Sequence, residues 1–143
     1  MSASRALVSI AARSLARVED QVTLPQYRAL VVVATRGAMR PVDLAEALDV
    51  TPSTATRMCD RLVGKGMMER SHRDSDRREV ELRLSAEGKA LVNEVTARRR
   101  RDLRRVLSRI STDDQARLIE SLRLFTDAAG ESADTVFELG LSM

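Results

Sequence analysis

Residues 41–66 read PVDLAEALDVTPSTATRMCDRLVGKG, and this stretch decides the fold. Pro41 opens a short amphipathic helix that turns Leu44, Ala45 and Leu48 inward. Asp49-Val50 then turns the chain. Thr51 offers a side-chain oxygen to the N-terminus of a second helix, and Pro52 sits at its first position, where a missing N–H leaves no bond unmade. That helix is predicted to run to Lys65, with Gly66 as its stop. Two helices joined by a tight turn make a helix-turn-helix.

At about 100° per residue the second helix divides cleanly. Ala55, Met58, Cys59 and Leu62 share one face; Ser53, Arg57, Asp60 and Gly64 lie opposite, flanked by Thr56 and Arg61. The outward face is short, polar and rich in hydrogen-bonding groups near its N-terminus. Such a face suits a major groove: an arginine grips guanine in bidentate fashion, and a threonine can meet a thymine methyl. The N-terminus itself favours a phosphate.

Working outward, the period changes after Gly66. Val80, Leu82 and Leu84 alternate with Glu81 and Arg83, the pattern of a half-buried strand, and residues 67–73 supply its partner. The charged connection 74–78 (Asp74-Ser75-Asp76-Arg77-Arg78) is predicted to be the hairpin tip. Ser85 caps a long helix carrying Leu91, Val92, Val95, Leu103, Val106, Leu107 and Ile110. Thr112 to Gln115 reads as a capping box that starts another helix through Leu118, Ile119, Leu122 and Phe125. Gly130 ends it, and 132–141 is predicted to form a last short helix. On the other side, Thr23-Leu24-Pro25 opens a helix that stops at Arg36-Gly37, preceded by a helix over about 3–21.

The expected fold is therefore mostly α with a small β-hairpin: a winged helix-turn-helix with flanking dimerisation helices. The 143 residues read as a single domain. Within it, 23–88 is the winged helix-turn-helix, 85–110 the long connecting helix, and 1–22 with 112–143 the dimerisation helices. The flanking helices exceed what the winged module needs, and a second copy of the chain is the simplest cover for their apolar stripes. Residues 1–18 hold three arginines, four serines and no acid, the composition of a transit peptide. Their apolar residues nevertheless recur at helical spacing, and no linker separates them from the next helix, so they read as a packing helix.

Composition excludes much else. One cysteine (Cys59) precludes an internal disulfide, and one histidine (His72) precludes a two-histidine metal site. No serine or cysteine has a plausible triad, so no enzyme, cofactor or metal is expected. No apolar stretch nears the roughly 20 residues of a membrane span, and a cytoplasmic protein is expected. Aromatic residues make up only 2% of the chain, too few for a single-strand reader that stacks bases. Net charge is +3, unevenly spread: residues 84–111 carry eight basic and three acidic side chains, and 112–143 carry two and seven. The run Arg98 to Arg101 is expected to pair with the acidic segment 113–138 in preference to phosphates.

Several of these stretches together carry a resemblance. Val42 to Leu48, Ser53-Thr54-Ala55-Thr56-Arg57, Asp60 to Gly66, and above all Asp76-x-Arg78-x-x-x-Leu82-x-Leu84-Ser85-x-x-Gly88 resemble the MarR family of transcriptional regulators. The resemblance covers nearly the whole chain. It implies a homodimeric winged-helix protein that binds pseudo-palindromic double-stranded DNA, acts as a repressor, and responds to a small aromatic or lipophilic effector. It nominates Ser53, Thr54, Thr56, Arg57 and Arg61 as recognition-helix contacts, and Asp76 with Arg78 as the wing. Arg77 joins the wing because of its place at the tip. An arginine there suits a narrow minor groove, with Asp76 holding the Arg78 guanidinium in place.

The chain also departs from the family. Peroxide-sensing members carry a reactive cysteine near the first helix, whereas Cys59 falls on the inward face of the recognition helix and reads as a small hydrophobe. The tryptophan of urate-sensing members is absent. Tyr27 and Phe125 are among the few aromatic residues that could line an effector pocket, and both read as core. The alternative reading is a dimeric winged-helix module that binds protein, distinguished by weaker salt dependence.

Overall fold

A computed structural model describes residues 2–73 and 76–129, with the side chains of 72–79 outside the description. Among the described residues, six helices and one two-stranded antiparallel sheet are arranged in the order α1 (Ser2–Leu15), α2 (Leu24–Arg36), α3 (Pro41–Leu48), α4 (Pro52–Gly64), β1 (Met68–Arg73), β2 (Asp76–Leu84), α5 (Ala86–Leu107) and α6 (Thr112–Ala128). The mostly helical winged fold expected from the sequence is thus present. The helix predicted over 132–141 and the stop at Gly130 lie outside the described residues.

Local chemistry sets the boundaries. Thr23 is extended, its hydroxyl accepts the Gln26 N–H at 3.4 Å, and the Gln26 side chain accepts the Thr23 N–H at 3.1 Å. This reciprocal pair satisfies two N–H groups that the helix leaves without carbonyl partners. At α3 only half of such a pair forms: Asp43 accepts the Arg40 N–H at 3.2 Å, and it also takes the Arg40 guanidinium at 2.7 and 2.9 Å. Asp49 adopts the left-handed conformation (φ 54°, ψ 52°) that stops α3, a geometry aspartate tolerates better than most residues. Thr51 caps α4 by accepting the Thr54 N–H at 3.3 Å.

The chain forms two compact units, one spanning Leu15–Val95. Its core draws Leu30 and Val33 from α2, Leu44 and Leu48 from α3, Ala55, Cys59 and Leu62 from α4, Met68 and Leu82 from the sheet, and Leu91, Val92 and Val95 from α5. Each fully buried leucine contributes roughly 1.5–3 kcal/mol. The hairpin pairs Met68 with Leu84, Arg70 with Leu82 and His72 with Val80, and its register shifts between His72 and Arg73. A third segment joins its edge: the Met39 N–H donates to the Leu82 carbonyl at 3.1 Å, and the Leu82 N–H returns to Met39 at 2.8 Å.

The other unit contains, among the described residues, 2–14 and 96–129. Asp102 pairs with Arg13 and Arg105 at 3.8 and 3.3 Å. No residue of α6 is buried; Leu118, Ile119 and Leu122 are exposed, and so is Phe125, at 71%.

Four local expectations are corrected. The first helix ends at Leu15 rather than near 21, because the Val18 and Gln21 N–H groups bond three residues back and form turns that place Val18 and Val22 in the core. Helix α5 ends at Leu107, short of Ile110. The cap of α6 is Ser111 rather than Thr112: Ser111 is extended, and its hydroxyl accepts from the Asp114 N–H at 3.2 Å and donates to the Asp114 carboxylate at 2.7 Å. Gln115 instead donates to the Leu107 and Ile110 carbonyls at 3.0 and 3.2 Å, closing the preceding helix end. Phe125 is not core within the chain, whereas Tyr27 is.

Candidate nucleic-acid interface

Helix α4 is amphipathic in the sense its periodicity predicts. Ala55, Cys59 and Leu62 are fully buried and Met58 is half-buried, while Ser53, Thr56, Arg57, Asp60 and Arg61 are exposed. The buried half-turns fix the rotation of the helix, so the polar face is presented by packing alone. Thr54 lies at the margin, half-buried, with its hydroxyl 2.9 Å from Thr51 Oγ1; Ser53 Oγ lies 3.1 Å from the same atom. Three hydroxyls therefore gather at the N-terminus of α4, where N–H groups and the helix dipole favour an anion.

The remaining nominated side chains differ in how far the helix already holds them. Thr56 donates its hydroxyl to the Pro52 carbonyl at 2.9 Å, leaving its methyl and oxygen lone pairs for a partner. Arg57 lies back along the helix, with Nε donating to the Ser53 carbonyl at 3.3 Å. Its terminal nitrogens, which would do the bidentate gripping, have no partner among the described residues. The Arg61 side chain makes no hydrogen bond or ion pair among them either. An open cleft of about 270 Å³ runs between Thr23, Pro25 and Gln26 of α2's start and Thr54, Arg57, Met58 and Arg61 of α4. It lies on the face that carries the nominated arginines, and within the winged unit.

Asp76, Arg77 and Arg78 have their backbone in β2 rather than in the hairpin tip where the sequence placed them, and their side chains lie outside the described residues. The strand extends because the pairing continues to Arg73 with Asp76 once the register has shifted.

Three contacts escaped the sequence reading. The Lys65 ammonium donates to the Gln21 carbonyl at 2.6 Å and to Gln26 Oε1 at 3.2 Å, tying the end of α4 to the cap of α2. Asp60, on the outward face of α4, pairs with Arg70 of β1. Arg83 of β2 pairs with Glu69 of β1 at 3.0 Å, its directly opposite residue. Only this last pair has a local signal, opposite charges on facing strands.

Burial pushes the Cys59 thiol up to about 11; the nearby Arg70 charge opposes this and Asp60 adds to it. The thiol is neutral near pH 7 and fully buried, so it lacks the thiolate character a redox sensor needs. No helix among the described residues is long and apolar enough to cross a membrane, and no cluster of metal-ligating side chains is found among them.

The sequence profile of the MarR family matches residues 22–80, from α2 through the recognition helix into β2. The multiple antibiotic resistance protein MarR of Salmonella typhimurium is 33% identical to the chain over 101 residues, 71% of this chain and 70% of that protein. The chain belongs to the MarR family. It is accordingly a DNA-binding transcriptional regulator, in a family of transcription factors rather than enzymes. A second relative, the HTH-type transcriptional repressor MdtR of Bacillus subtilis, is 34% identical over 65% of this chain and 60% of its own length. The likeness extends beyond the matched core. A crystal structure of the protein RV1404 from Mycobacterium tuberculosis is 38% identical, covers 91% of this chain and 89% of that one, and superposes with a TM-score of 0.84.

Proposed function

We propose that two copies of the chain bind a pseudo-palindromic duplex operator as a repressor in the cytoplasm, each placing α4 in a major groove. The observation that carries this reading is the exposed row Ser53, Thr56, Arg57 and Arg61 on a helix whose opposite side is locked into the core. Ser53 and the α4 N-terminus hold a phosphate, Arg57 reads a base edge, and Arg61 extends the contact down the groove. Thr54 braces the helix start beside them. The wing residues Asp76, Arg77 and Arg78 serve the adjacent minor groove. Half-sites then lie about 10 bp apart, or a multiple of that.

The apolar residues of α6 are the natural cover for a second copy, which supplies the two-fold symmetry of the operator. A small aromatic or lipophilic effector is the regulatory partner, and one seated in the α2–α4 cleft shares Arg57 and Arg61 with DNA, so effector and operator exclude each other.

Fluorescence anisotropy on duplex tiles from upstream of the protein's own gene, against scrambled duplex at about 0.15 M salt, tests the reading. Tight binding to one tile, saturating at one dimer per site, supports it. Equal, weak binding to every duplex overturns it.

A further inference from the structure

Asp60 stands on the same face of α4 as Ser53 and Arg57, one turn beyond Arg57, with its side chain 52% exposed. A bare carboxylate there would repel the phosphates of any duplex docked on α4. Arg70 answers it from another element. On β1, Met68 and Arg70 share one face of the hairpin, and Met68 is buried beside the winged-helix core while Glu69 points away to Arg83. Two residues further out, that same inward face passes the edge of α4, and the Arg70 guanidinium meets Asp60 Oδ1 through one terminal nitrogen. Guanidinium carries five N–H donors in a rigid fork, and the Arg70 side chain makes no other hydrogen bond among the described residues; it is 44% exposed. One edge of the fork is anchored and the rest faces solvent, at the junction of the two elements that meet DNA.

We propose that Arg70 is a DNA-backbone contact between recognition helix and wing, and that Asp60 is the positioning residue that aims it. The proposal rests on the reading that α4 docks on duplex DNA. Asp60 limits the rotamers of a long side chain before binding, and the guanidinium presents its free donors to a phosphate flanking the groove. The contact carries no base information, so it strengthens operator and non-operator binding alike.

The test is anisotropy over a series of salt concentrations, on the bound upstream tile and on scrambled duplex, with thermal melts confirming that each variant folds. Arg70→Ala is expected to weaken both duplexes to a similar degree, about tenfold, and to lower the salt slope by about one. The lower slope is expected to persist in Asp60→Asn/Arg70→Ala. Recovery of wild-type affinity and slope in that double variant would show that Arg70 merely neutralises Asp60, and would overturn the contact. Asp60→Asn alone removes a repelling charge yet is expected not to tighten binding; tighter binding would overturn its positioning role. Wild-type protein without salt-dependent binding to any tile would remove the underlying DNA reading instead, a result distinct from either.

Discussion

The Ser85 hydroxyl donates to the Gly66 carbonyl at 2.6 Å and accepts the Gly88 N–H at 3.0 Å. One side chain thus closes the turn that ends the recognition helix and caps the helix that leaves the winged unit. The Ser85 N–H, donating to the Met67 carbonyl at 3.2 Å, completes the junction. Ser85→Ala removes a cap, leaving the buried Gly88 N–H and the part-buried Gly66 carbonyl without their hydroxyl partner. A loss of about 1–2 kcal/mol is expected, read as a lower urea midpoint with unchanged slope.

Gly88 belongs to the same junction. It is buried in the first turns of α5, and a Cβ placed there would run into the Met67 carbonyl. Glycine to alanine within a helix ordinarily stabilises by up to about 1 kcal/mol. Here the sign reverses, because backbone cannot yield as a side-chain tip can. Gly88→Ala is expected to lower the urea midpoint, and a rise would refute the close approach.

Arg57 tests the docking of α4. Arg57→Ala is expected to cost about 1–3 kcal/mol of operator affinity and to relax sequence choice at its position, as judged by competition with singly substituted operators. Arg57→Lys keeps the charge but not the planar fork, so it is expected to hold the salt slope while losing the same discrimination. If neither substitution alters operator preference, Arg57 does not read bases.

Cys59 is expected to be inert. With its folded pKa raised from 9.0 to about 11, alkylation of native protein should be slow at neutral pH and accelerate only on unfolding. Peroxide should leave operator binding intact. The linkage has a definite sign: a raised folded pKa means the folded state holds the thiol proton more tightly. Its contribution to stability is complete below about pH 9 and is lost as pH climbs toward 11. Urea midpoints of wild type and Cys59→Ala across that alkaline range should converge as pH rises.

Helix α6 tests the dimer. Leu118, Leu122 and Phe125 recur at helical spacing and are exposed within the chain. Leu122→Arg is expected to raise the dimer dissociation constant by more than tenfold in sedimentation equilibrium, the change of about 1.4 kcal/mol that losing a buried leucine readily exceeds. The variant should keep the helical circular-dichroism signature of the wild type. An unchanged dimer would place the interface elsewhere.

Most of the fold was legible because its punctuation is local. Thr23, Pro41, Thr51 with Pro52, and Gly66 act on backbone groups within four residues of themselves, so their effect can be read from spacing. The same holds for the rotation of α4: a 3.6-residue period buries Ala55, Cys59 and Leu62 and leaves Ser53, Thr56, Arg57 and Arg61 outside. The cap of α6 shows the limit of this logic. Ser111 and Thr112 are both good caps with an acid or amide three residues on, and only the course of the chain out of α5 selects between them.

What sequence alone determined, then, is the order of the described elements, which face of each helix is apolar, and where α4 presents its polar row. Tertiary structure decided the rest: that Arg70 reaches Asp60, that Lys65 returns to the cap of α2, and that Gly88 must lack a Cβ. The reason is range. Capping and periodicity depend on neighbours a few residues away, whose distances the helix geometry sets in advance. A contact between residues ten, thirty-nine or twenty-one apart exists only once the core has closed and brought their elements together.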